Sequence, residues 1–585
     1  MEHKIATLDW ADLAVIAVAM GISVIIGLYY RFSGGKQKTI QEYFSADKSM
    51  NIIPIAIGLM VSFVSAITLL GISAENYTYG TQFFVINLSY LIGTPLVCYG
   101  YMPVFFNIGA ISAFEYLEKR FGRASRVVAG IIYWIQLLLY SGVVLYAPAL
   151  TLEATTGIDK IWSIVGIGVI CAFYCTLGGI KAVLITDVFQ GGLMFTSLFI
   201  IIFTAAHKVG GFSEIWRIAS EGKRIQFDEI SLDPTIRHTW WGLLIGGLGS
   251  YLSLYGVNQV QIQRMMTTNI KSARLALWLS WPILAFLSAL TCYSGLAMYS
   301  YYYKCDPKTT NRIESMDMLM PLFVMDTLSN VPGLPGLFVA GIFSAGLSTI
   351  SAGLNSLAAV TLEDYIKPMY SFCSGHKLSE NQSIVCSKIL VLVFGISCIA
   401  LAFAAQLLGG ILQASLTIFG VVGGPLLGIF TLGMLVESAN EIGAITGTLI
   451  SFAFCMWIAF GQPRPLPPKL PVDTYGCSYN FNASISFEEA FEKSDSSYFY
   501  LYKISYIWYS VIGFLITMAL GYVISNLSRV ALKIPHDEPD PQLFFPFIAS
   551  RIKKRRLQTE INQNRQFYTS TVCSSQHDNC PNNEE

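Results

Sequence analysis

Long apolar stretches, separated by short polar segments, dominate the pattern of this chain. An α-helix rises about 1.5 Å per residue, so about 20 apolar residues cross the roughly 30 Å hydrocarbon core of a bilayer. About thirteen stretches are long enough. They are residues 11–30, 51–74, 82–106, 126–150, 161–178, 184–205, 239–265, 274–300, 334–360, 387–406, 411–436, 441–461 and 506–526. The pattern therefore predicts an all-α integral membrane protein, with a transmembrane domain over residues 1–530.

Three segments need separate predictions. The first apolar stretch ends in the bulky run 28–32 rather than in small residues that precede a cleavage site, so it is predicted to be a retained span. Residues 462–505 are predicted to form an extracellular loop, because the prolines at its start cannot continue a helix. Residues 531–585 are polar, lack a span pattern and are predicted to form a disordered cytoplasmic tail.

Composition agrees with a membrane protein. Hydrophobic residues make up 54% of the chain and charged residues only 13%, whereas soluble domains carry roughly 25% charged residues. The formal net charge is zero, which gives no reason to expect a nucleic-acid partner. The sequence contains no phosphate-binding loop, no zinc-type cysteine pairs and no nucleophile elbow, so neither an enzyme nor a bound cofactor is expected.

Basic residues in the short loops predict the orientation. Segments 31–50 and 107–125 carry several Lys and Arg, whereas 75–81 and 407–410 carry none. Basic loops face the cytoplasm, which places the N-terminus outside. With an odd number of spans the C-terminus is then inside. That side suits the basic cluster of Arg551, Lys553, Lys554, Arg555 and Arg556.

The predicted exterior loops carry two candidate covalent modifications. Asn482 lies in an Asn-Ala-Ser sequon on the long loop and is predicted to be glycosylated. Cys305 and Cys477 both lie on exterior loops, where an oxidising compartment permits a disulfide. The sequence does not give the Cα separation, so the bridge stays one of two alternatives, beside two free thiols.

Asp187 is a carboxylate beside an apolar stretch. A charge at that depth is costly unless a cation, a partner or a water-filled path stabilises it. The first hypothesis is therefore cation handling. The alternative is an acid that favours the positive end of a helix dipole.

Two predicted spans are interrupted by glycine and small polar residues, at 62–73 and 246–261. Unwound backbone inside a membrane is tolerated where it lines a cavity and supplies ion ligands. The two segments lie five spans apart, as expected if two inverted five-helix repeats each begin with a broken helix. The alternative is close helix packing through small residues.

The ninth predicted span carries a row of polar side chains. Ser344, Ser348, Ser351 and Asn355 recur at intervals of four, three and four, so they share one helical face. The adjacent hydroxyls of Ser348 and Thr349 suit a hard cation that takes oxygen ligands. The alternative is that these hydroxyls bond the preceding carbonyls of their own helix.

Several strings resemble one family. They are Thr176 to Val183 leading into Thr186 to Gln190, Leu254 to Gln259, Gly333 to Phe338, and Leu347 to Ser351. Together they identify the chain as a member of the sodium/solute symporter family, in the branch of the monocarboxylate, multivitamin and iodide transporters. The resemblance runs from about residue 10 to about residue 530.

The resemblance implies a leucine-transporter-like core of two inverted five-helix repeats, with alternating access driven by an inward sodium gradient. In related transporters a shared sodium site joins backbone carbonyls of the broken second span to two adjacent hydroxyls. The sodium-binding residues implied here are Ser348, Thr349, Ser62, Val64, Asp187, Gln190 and Gln261. The residues expected to contact substrate are Ser65, Thr68 and Asn258.

Thr68 bears on the substrate. Iodide-transporting relatives carry Gln at this position, whereas monocarboxylate-transporting relatives resemble this chain in having Thr. The expected function is therefore import of a small organic anion with sodium across the plasma membrane. No Lys or Arg is expected deep in the cavity, so sodium and half-helix N-termini would balance the anion. An inorganic-anion symporter, a channel and a non-transporting sensor are the alternatives.

Overall fold

Helices form the regular secondary structure throughout the described part of the chain. The computed structural model describes residues 8–32, 43–44, 46–109, 111–405, 410–465, 467–477, 498–533 and 540–575, and these ranges contain no strand. The predicted all-α class is confirmed. Asn482 lies outside the described residues.

The helices are numbered here in chain order. The first eleven are α1 Trp10–Phe32, α2 Ile52–Val61, α3 Ala66–Tyr79, α4 Ile86–Leu96, α5 Met102–Ile108, α6 Glu115–Arg120, α7 Arg123–Thr156, α8 Lys160–Val209, α9 Phe212–Glu221, α10 Gly247–Tyr251 and α11 Gln259–Met265. The remaining ten are α12 Ile270–Tyr302, α13 Leu319–Leu328, α14 Leu334–Val360, α15 Lys367–Ser374, α16 Glu380–Ala405, α17 Ile411–Leu435, α18 Glu441–Phe460, α19 Tyr500–Lys503, α20 Tyr509–Leu532 and α21 Pro546–Ser575.

The predicted count of thirteen spans is not confirmed. Among the described residues, ten helical stretches are long and apolar enough to cross a membrane, and the bent pair α2 and α3 makes an eleventh. The difference has two sources. The predicted spans 161–178 and 184–205 lie on α8, one continuous helix of 50 residues. The predicted span 239–265 is divided among short helical pieces, none of which is long enough alone.

The first predicted interruption is a real break. The axes of α2 and α3 differ by 55° across residues 62–65. Ser65 starts the new helix, because its hydroxyl accepts a hydrogen bond from the Ile67 amide at 3.2 Å while Thr68 Oγ1 accepts one from the Ser65 amide at 3.3 Å. This reciprocal capping satisfies amides that a helix N-terminus leaves free.

The second predicted interruption is also a break. Wide π-helical turns at Gly242–Gly246 and Leu252–Gly256 flank α10, and the helix ends at Gly256. Asn258 then caps α11 by accepting a hydrogen bond from the Val260 amide at 2.9 Å. Such turns are frequent at functional sites within helices.

Helices α14 and α17 lie at the centre of the bundle. In each, 94% of the most apolar 18-residue window is buried, compared with 22% in α1. Burial of this extent means that protein rather than lipid surrounds both helices. Helix α14 packs against α1, α7, α8 and α16, so its polar row faces protein rather than lipid.

A disulfide joins two loops at one end of the bundle, called the disulfide end below. Cys305 follows α12 and is bonded to Cys477, with the two Cα atoms 5.1 Å apart. The Leu470 amide also donates a hydrogen bond of 3.1 Å to the Thr78 carbonyl at the end of α3. The segment 467–477 therefore covers the end of α3.

The predicted disordered tail contains a helix instead. Helix α21 begins at Pro546, and Phe544 and Phe545 before it are buried. The ring of Phe545 lies edge-on to Tyr101, with centroids 5.0 Å apart, and its amide donates to the Met434 carbonyl at 3.0 Å. These buried aromatic contacts, which the polar composition of 531–585 conceals, hold the start of the helix against the bundle.

Candidate functional site

A cavity lies beside the break between α2 and α3. Its wall is largely apolar, with scattered hydroxyls and one amide and no charged side chain. Its polar lining residues are Ser62, Thr68, Asn87, Tyr90, Tyr140, Ser250, Tyr251, Ser288, Ser415 and Tyr506. Pockets of this kind, mostly apolar with a few placed polar groups, are typical of small-molecule sites.

Asp187 is fully buried beside this break and has two partners. Its Oδ2 accepts a hydrogen bond from Arg264 Nη2 at 2.8 Å, which makes an ion pair with α11. Its Oδ1 accepts a short hydrogen bond from the Ser348 hydroxyl on α14. The Asp187 carboxylate on α8 therefore contacts both α11 and α14 directly. A buried charge requires such partners.

The broken helix α2 packs tightly onto this pair through Gly58. A Cβ atom at Gly58 would lie 2.8 Å from the Leu184 side chain, 3.3 Å from Asp187 Oδ2 and 3.6 Å from Arg264 Nε. A side chain at Gly58 would have to displace the end of Leu184 and would crowd the Asp187 carboxylate, so glycine favours this close approach of α2 to the ion pair. The pair and the break therefore form one site.

Side chains from the second break satisfy the end of the first. The Leu59 carbonyl of α2 accepts hydrogen bonds from Gln261 Nε2 at 3.3 Å and from the Tyr255 hydroxyl at 3.0 Å. Gln261 also donates to Ser62 Oγ at 3.0 Å. Because Gln261 and Arg264 are three residues apart on one face of α11, this helix connects the broken end of α2 to Asp187.

Several buried polar atoms at the site have no hydrogen-bond partner within the described residues. They are Gln190 Oε1, Gln261 Oε1, Arg264 Nε and Ser344 Oγ. Unpaired buried oxygens are costly, and a bound water or ion is one way to satisfy them. Three of these atoms are oxygens, the ligand type that hard cations prefer. In the part of the chain that the structure describes, no three His, Cys, Asp or Glu side chains cluster.

The two adjacent hydroxyls of α14 have different contacts. Ser348 donates to Asp187, whereas Thr349 Oγ1 donates to the Ala345 carbonyl of its own helix at 3.2 Å. A hydroxyl that donates one hydrogen bond keeps acceptor lone pairs, so both oxygens remain available to a cation. Further along the row, Ser351 donates to the Ser348 carbonyl at 2.9 Å, as in the alternative of local bonding.

The remaining predicted residues divide between the cavity and the helix breaks. Ser62, Val64 and Thr68 line the cavity. Ser65 and Asn258, both expected to contact substrate, are N-caps of α3 and α11 and are not among the lining residues. Gln190 lies on α8 one turn after Asp187, and its amide is 3.5 Å from Ser23 Oγ of α1.

Two residues of the site were missed by sequence analysis. Arg264 is a charged residue at the end of a predicted span. A charge at such a position needs a partner, and this requirement could have identified it. Asn87 lies in the cavity wall and its Nδ2 donates to Ser288 Oγ at 2.9 Å. An asparagine inside a predicted span gave a similar signal.

Comparison with known proteins decides the family. A model of the family described as "Sodium:solute symporter family" matches residues 43–451. The chain belongs to that family. It is therefore a multi-pass integral membrane protein and a sodium-coupled solute symporter, and not an enzyme.

The individual matches cover most of the chain. It is 51% identical over 570 residues to a Drosophila melanogaster protein named "Putative sodium-dependent multivitamin transporter", covering 94% of each chain. It is 41% identical over 532 residues to "Sodium-coupled monocarboxylate transporter 1" of Mus musculus, covering 88% of this chain and 86% of the relative. A solved Na+-coupled sialic acid symporter matches with a TM-score of 0.72 at 24% identity, over 89% of this chain and 98% of the other. That structure confirms the leucine-transporter-like fold of this symporter.

The Asp187–Arg264 pair gives a prediction for the stability of this symporter. Arg264→Leu leaves a buried carboxylate without its cation, and breaking a buried pair in this way costs about 3–5 kcal/mol. We expect a marked fall of the thermal midpoint in detergent, partly recovered when Asp187→Asn is added because the unpaired charge is then gone.

Arg217→Leu is the matched control for this measurement. Arg217 pairs with Glu214 and Glu221 on the exposed face of α9, where loss of an ion pair changes stability little. An Arg264→Leu protein that unfolds no earlier than the Arg217→Leu protein would contradict the structural role of the buried pair.

Proposed function

We propose that this symporter imports a small organic anion, a monocarboxylate or a carboxylate-bearing vitamin, together with sodium by alternating access. It acts in the plasma membrane, with the N-terminus outside and the C-terminus in the cytoplasm. The uncharged cavity beside the sodium-binding candidates is the observation that carries this proposal. The names of the multivitamin and monocarboxylate relatives support the substrate class.

The cavity offers an anion a helix terminus rather than a cationic side chain. Val64, Ile67 and Thr68 line the cavity, so the first turn of α3 forms part of its wall. A helix N-terminus carries roughly half a positive charge and favours anions. A carboxylate placed here would find hydroxyls such as Thr68 and apolar contacts for the rest of the molecule.

Charge balance links the anion to sodium. Asp187 and Arg264 together are neutral, and the lining residues carry no charge. An organic anion therefore brings one uncompensated negative charge into a region of low dielectric, where such a charge is costly. A sodium ion beside the cavity supplies the missing positive charge. Substrate affinity should for this reason depend on sodium.

The sodium ligands we propose surround the break in the second span. They are the side-chain oxygens of Asp187, Ser348, Thr349, Ser62, Gln190 and Gln261, with the backbone carbonyl of Val64. Asp187 and Ser348 are in contact, and Ser62 contacts Gln261. Sodium entering between these groups would hold α14, α8 and the end of α2 together, which couples ion binding to the position of the broken helix.

Two-electrode current recording tests the substrate class. Lactate, nicotinate, biotin, pantothenate and iodide are applied in turn to cells that express the chain, first in sodium and then in choline. We expect an inward, saturable, sodium-dependent current with at least one organic anion, because sodium supplies the charge that the cavity lacks. Current with iodide alone would indicate that the substrate is an inorganic anion rather than an organic one. Sodium current without any substrate would indicate a channel, and uptake that persists in choline would refute coupling.

The hydroxyls of α14 give a second prediction. Ser348→Ala with Thr349→Ala removes two proposed sodium oxygens, each worth about 1 kcal/mol, so sodium affinity should fall roughly tenfold or more. The measurement is sodium-dependent uptake normalised to protein at the cell surface.

The matched control removes one serine and one threonine hydroxyl elsewhere. Ser397 and Thr196 are half-buried on α16 and α8, and each donates a hydrogen bond to a carbonyl of its own helix, that of Val393 and that of Gly192. Ser397→Ala with Thr196→Ala should leave the sodium dependence unchanged. A Ser348→Ala and Thr349→Ala protein with the sodium dependence of this control would exclude the proposed site.

A further inference from the structure

A nearly buried ion pair lies at the disulfide end of the cavity. Arg237 Nε is 2.5 Å from Glu75 Oε1, and Arg237 Nη2 is 3.0 Å from Glu75 Oε2. Glu75 lies on α3, three residues after Ile72 and seven after Thr68, so it continues the face that lines the cavity. The two parallel hydrogen bonds fix the orientation of the guanidinium and the carboxylate.

A third element joins the pair. Arg237 Nη1 donates to Gln413 Oε1 at 3.0 Å. Gln413 lies in the first turn of α17, between Leu412 and Leu416, which both line the cavity. The arginine itself belongs to the segment between α9 and α10. One side chain thus connects the outer arm of the broken helix, the start of α17 and an intervening loop.

Aromatic rings place this cluster directly behind the cavity wall. The Arg237 guanidinium lies 4.4 Å from the ring of Tyr79 and 5.1 Å from the ring of Tyr506, which lines the cavity. His238 Nε2 is 2.7 Å from the Tyr506 hydroxyl, and its ring lies 5.2 Å from Phe83, another lining residue. These contacts join the cavity wall to the Glu75–Arg237 pair.

The energetics of the Glu75–Arg237 pair favour a contact that can form and break over a permanent contact. Burial alone lowers the pKa of the Arg237 guanidinium, but the Glu75 carboxylate raises that pKa above its ordinary value, so Arg237 stays charged. Removing two charges from water costs about as much as their attraction returns, so a buried pair adds little net stability. When the wall opens, water solvates both groups, and the separation costs little. A pair of this kind specifies one arrangement without making it irreversible.

We propose that Glu75, Arg237 and Gln413 form a clasp that closes the cavity at the disulfide end during each transport cycle. They are positioning residues, because they hold α3 against α17 and do not line the cavity. The clasp goes beyond the proposed function and rests on it only in that the cavity is the transport site. Its closed form is the arrangement in this structure.

Access to a cysteine placed inside the cavity tests the clasp. Ile72→Cys is introduced into the full-length chain in cells, and its rate of reaction with a membrane-impermeant thiol reagent is measured from outside. The chain without this cysteine gives the background rate. Adding Glu75→Gln should raise the labelling rate about fivefold or more, because the open form becomes more populated. Gln413→Ala, which leaves both charges in place, should raise it less.

Charge exchange distinguishes a clasp from general loosening. Glu75→Arg with Arg237→Glu rebuilds the pair with its polarity reversed and should return the labelling rate to within about twofold of the parent. Glu214→Gln, which alters the exposed pair on α9, is the matched control and should leave the rate unchanged.

The outcomes separate the clasp from the proposed function. Labelling needs no substrate, so it remains interpretable if every tested anion fails to be transported. A folded Glu75→Gln protein that is labelled at the parent rate would overturn the clasp. So would a charge-exchanged protein labelled as fast as Glu75→Gln. If Glu75→Gln does not reach the surface, Gln413→Ala decides alone, and an unchanged rate in that variant overturns the proposal.

Discussion

The burial of one carboxylate constrains the rest of this symporter. Asp187 is fully removed from water, so its charge must be stabilised by groups that the fold brings to it. Arg264 and Ser348 come from α11 and α14, and Gly58 allows α2 to pack against them. Four helices are therefore positioned by the same charge. A sodium ion that shares Asp187 would act on all four, which is a physical basis for coupling.

The helix breaks divide the spans into shorter helices, and such coupling requires these helices to move relative to one another. Residues 62–65 separate α2, which contacts the Asp187–Arg264 pair, from α3, whose first turn lines the cavity. The far end of α3 carries Glu75 in the clasp and touches the disulfide-linked segment through Thr78. The sodium ligands proposed above thus surround the break at the start of α3, and Glu75 of the proposed clasp lies near its far end. Between them, Thr68 and Ile72 line the cavity.

Sequence patterns located the helices and the polar interruptions well, because apolar span length and interruption by glycine and small polar residues are local features of the chain. They could not show which distant side chains meet. Arg264 was not recognised as a site residue, although it lies at the end of a predicted span. Serine and asparagine both bind ligands and cap helices, so residue type alone did not show that Ser65 and Asn258 are N-caps. The tail is polar in composition, but the buried Phe545 holds the start of its helix against the bundle. The pairing of Glu75 with Arg237 depends on tertiary packing, which local pattern does not contain.

The sodium dependence of uptake in Asp187→Asn tests the central claim most directly. Uptake of the transported anion is titrated with sodium and normalised to surface protein by biotinylation. If Asp187 binds sodium, the half-saturating sodium concentration should rise roughly tenfold or more, with a much smaller change in the amount of protein at the surface. An unchanged sodium dependence at normal surface expression would contradict the account, since Asp187 would then only pair with Arg264.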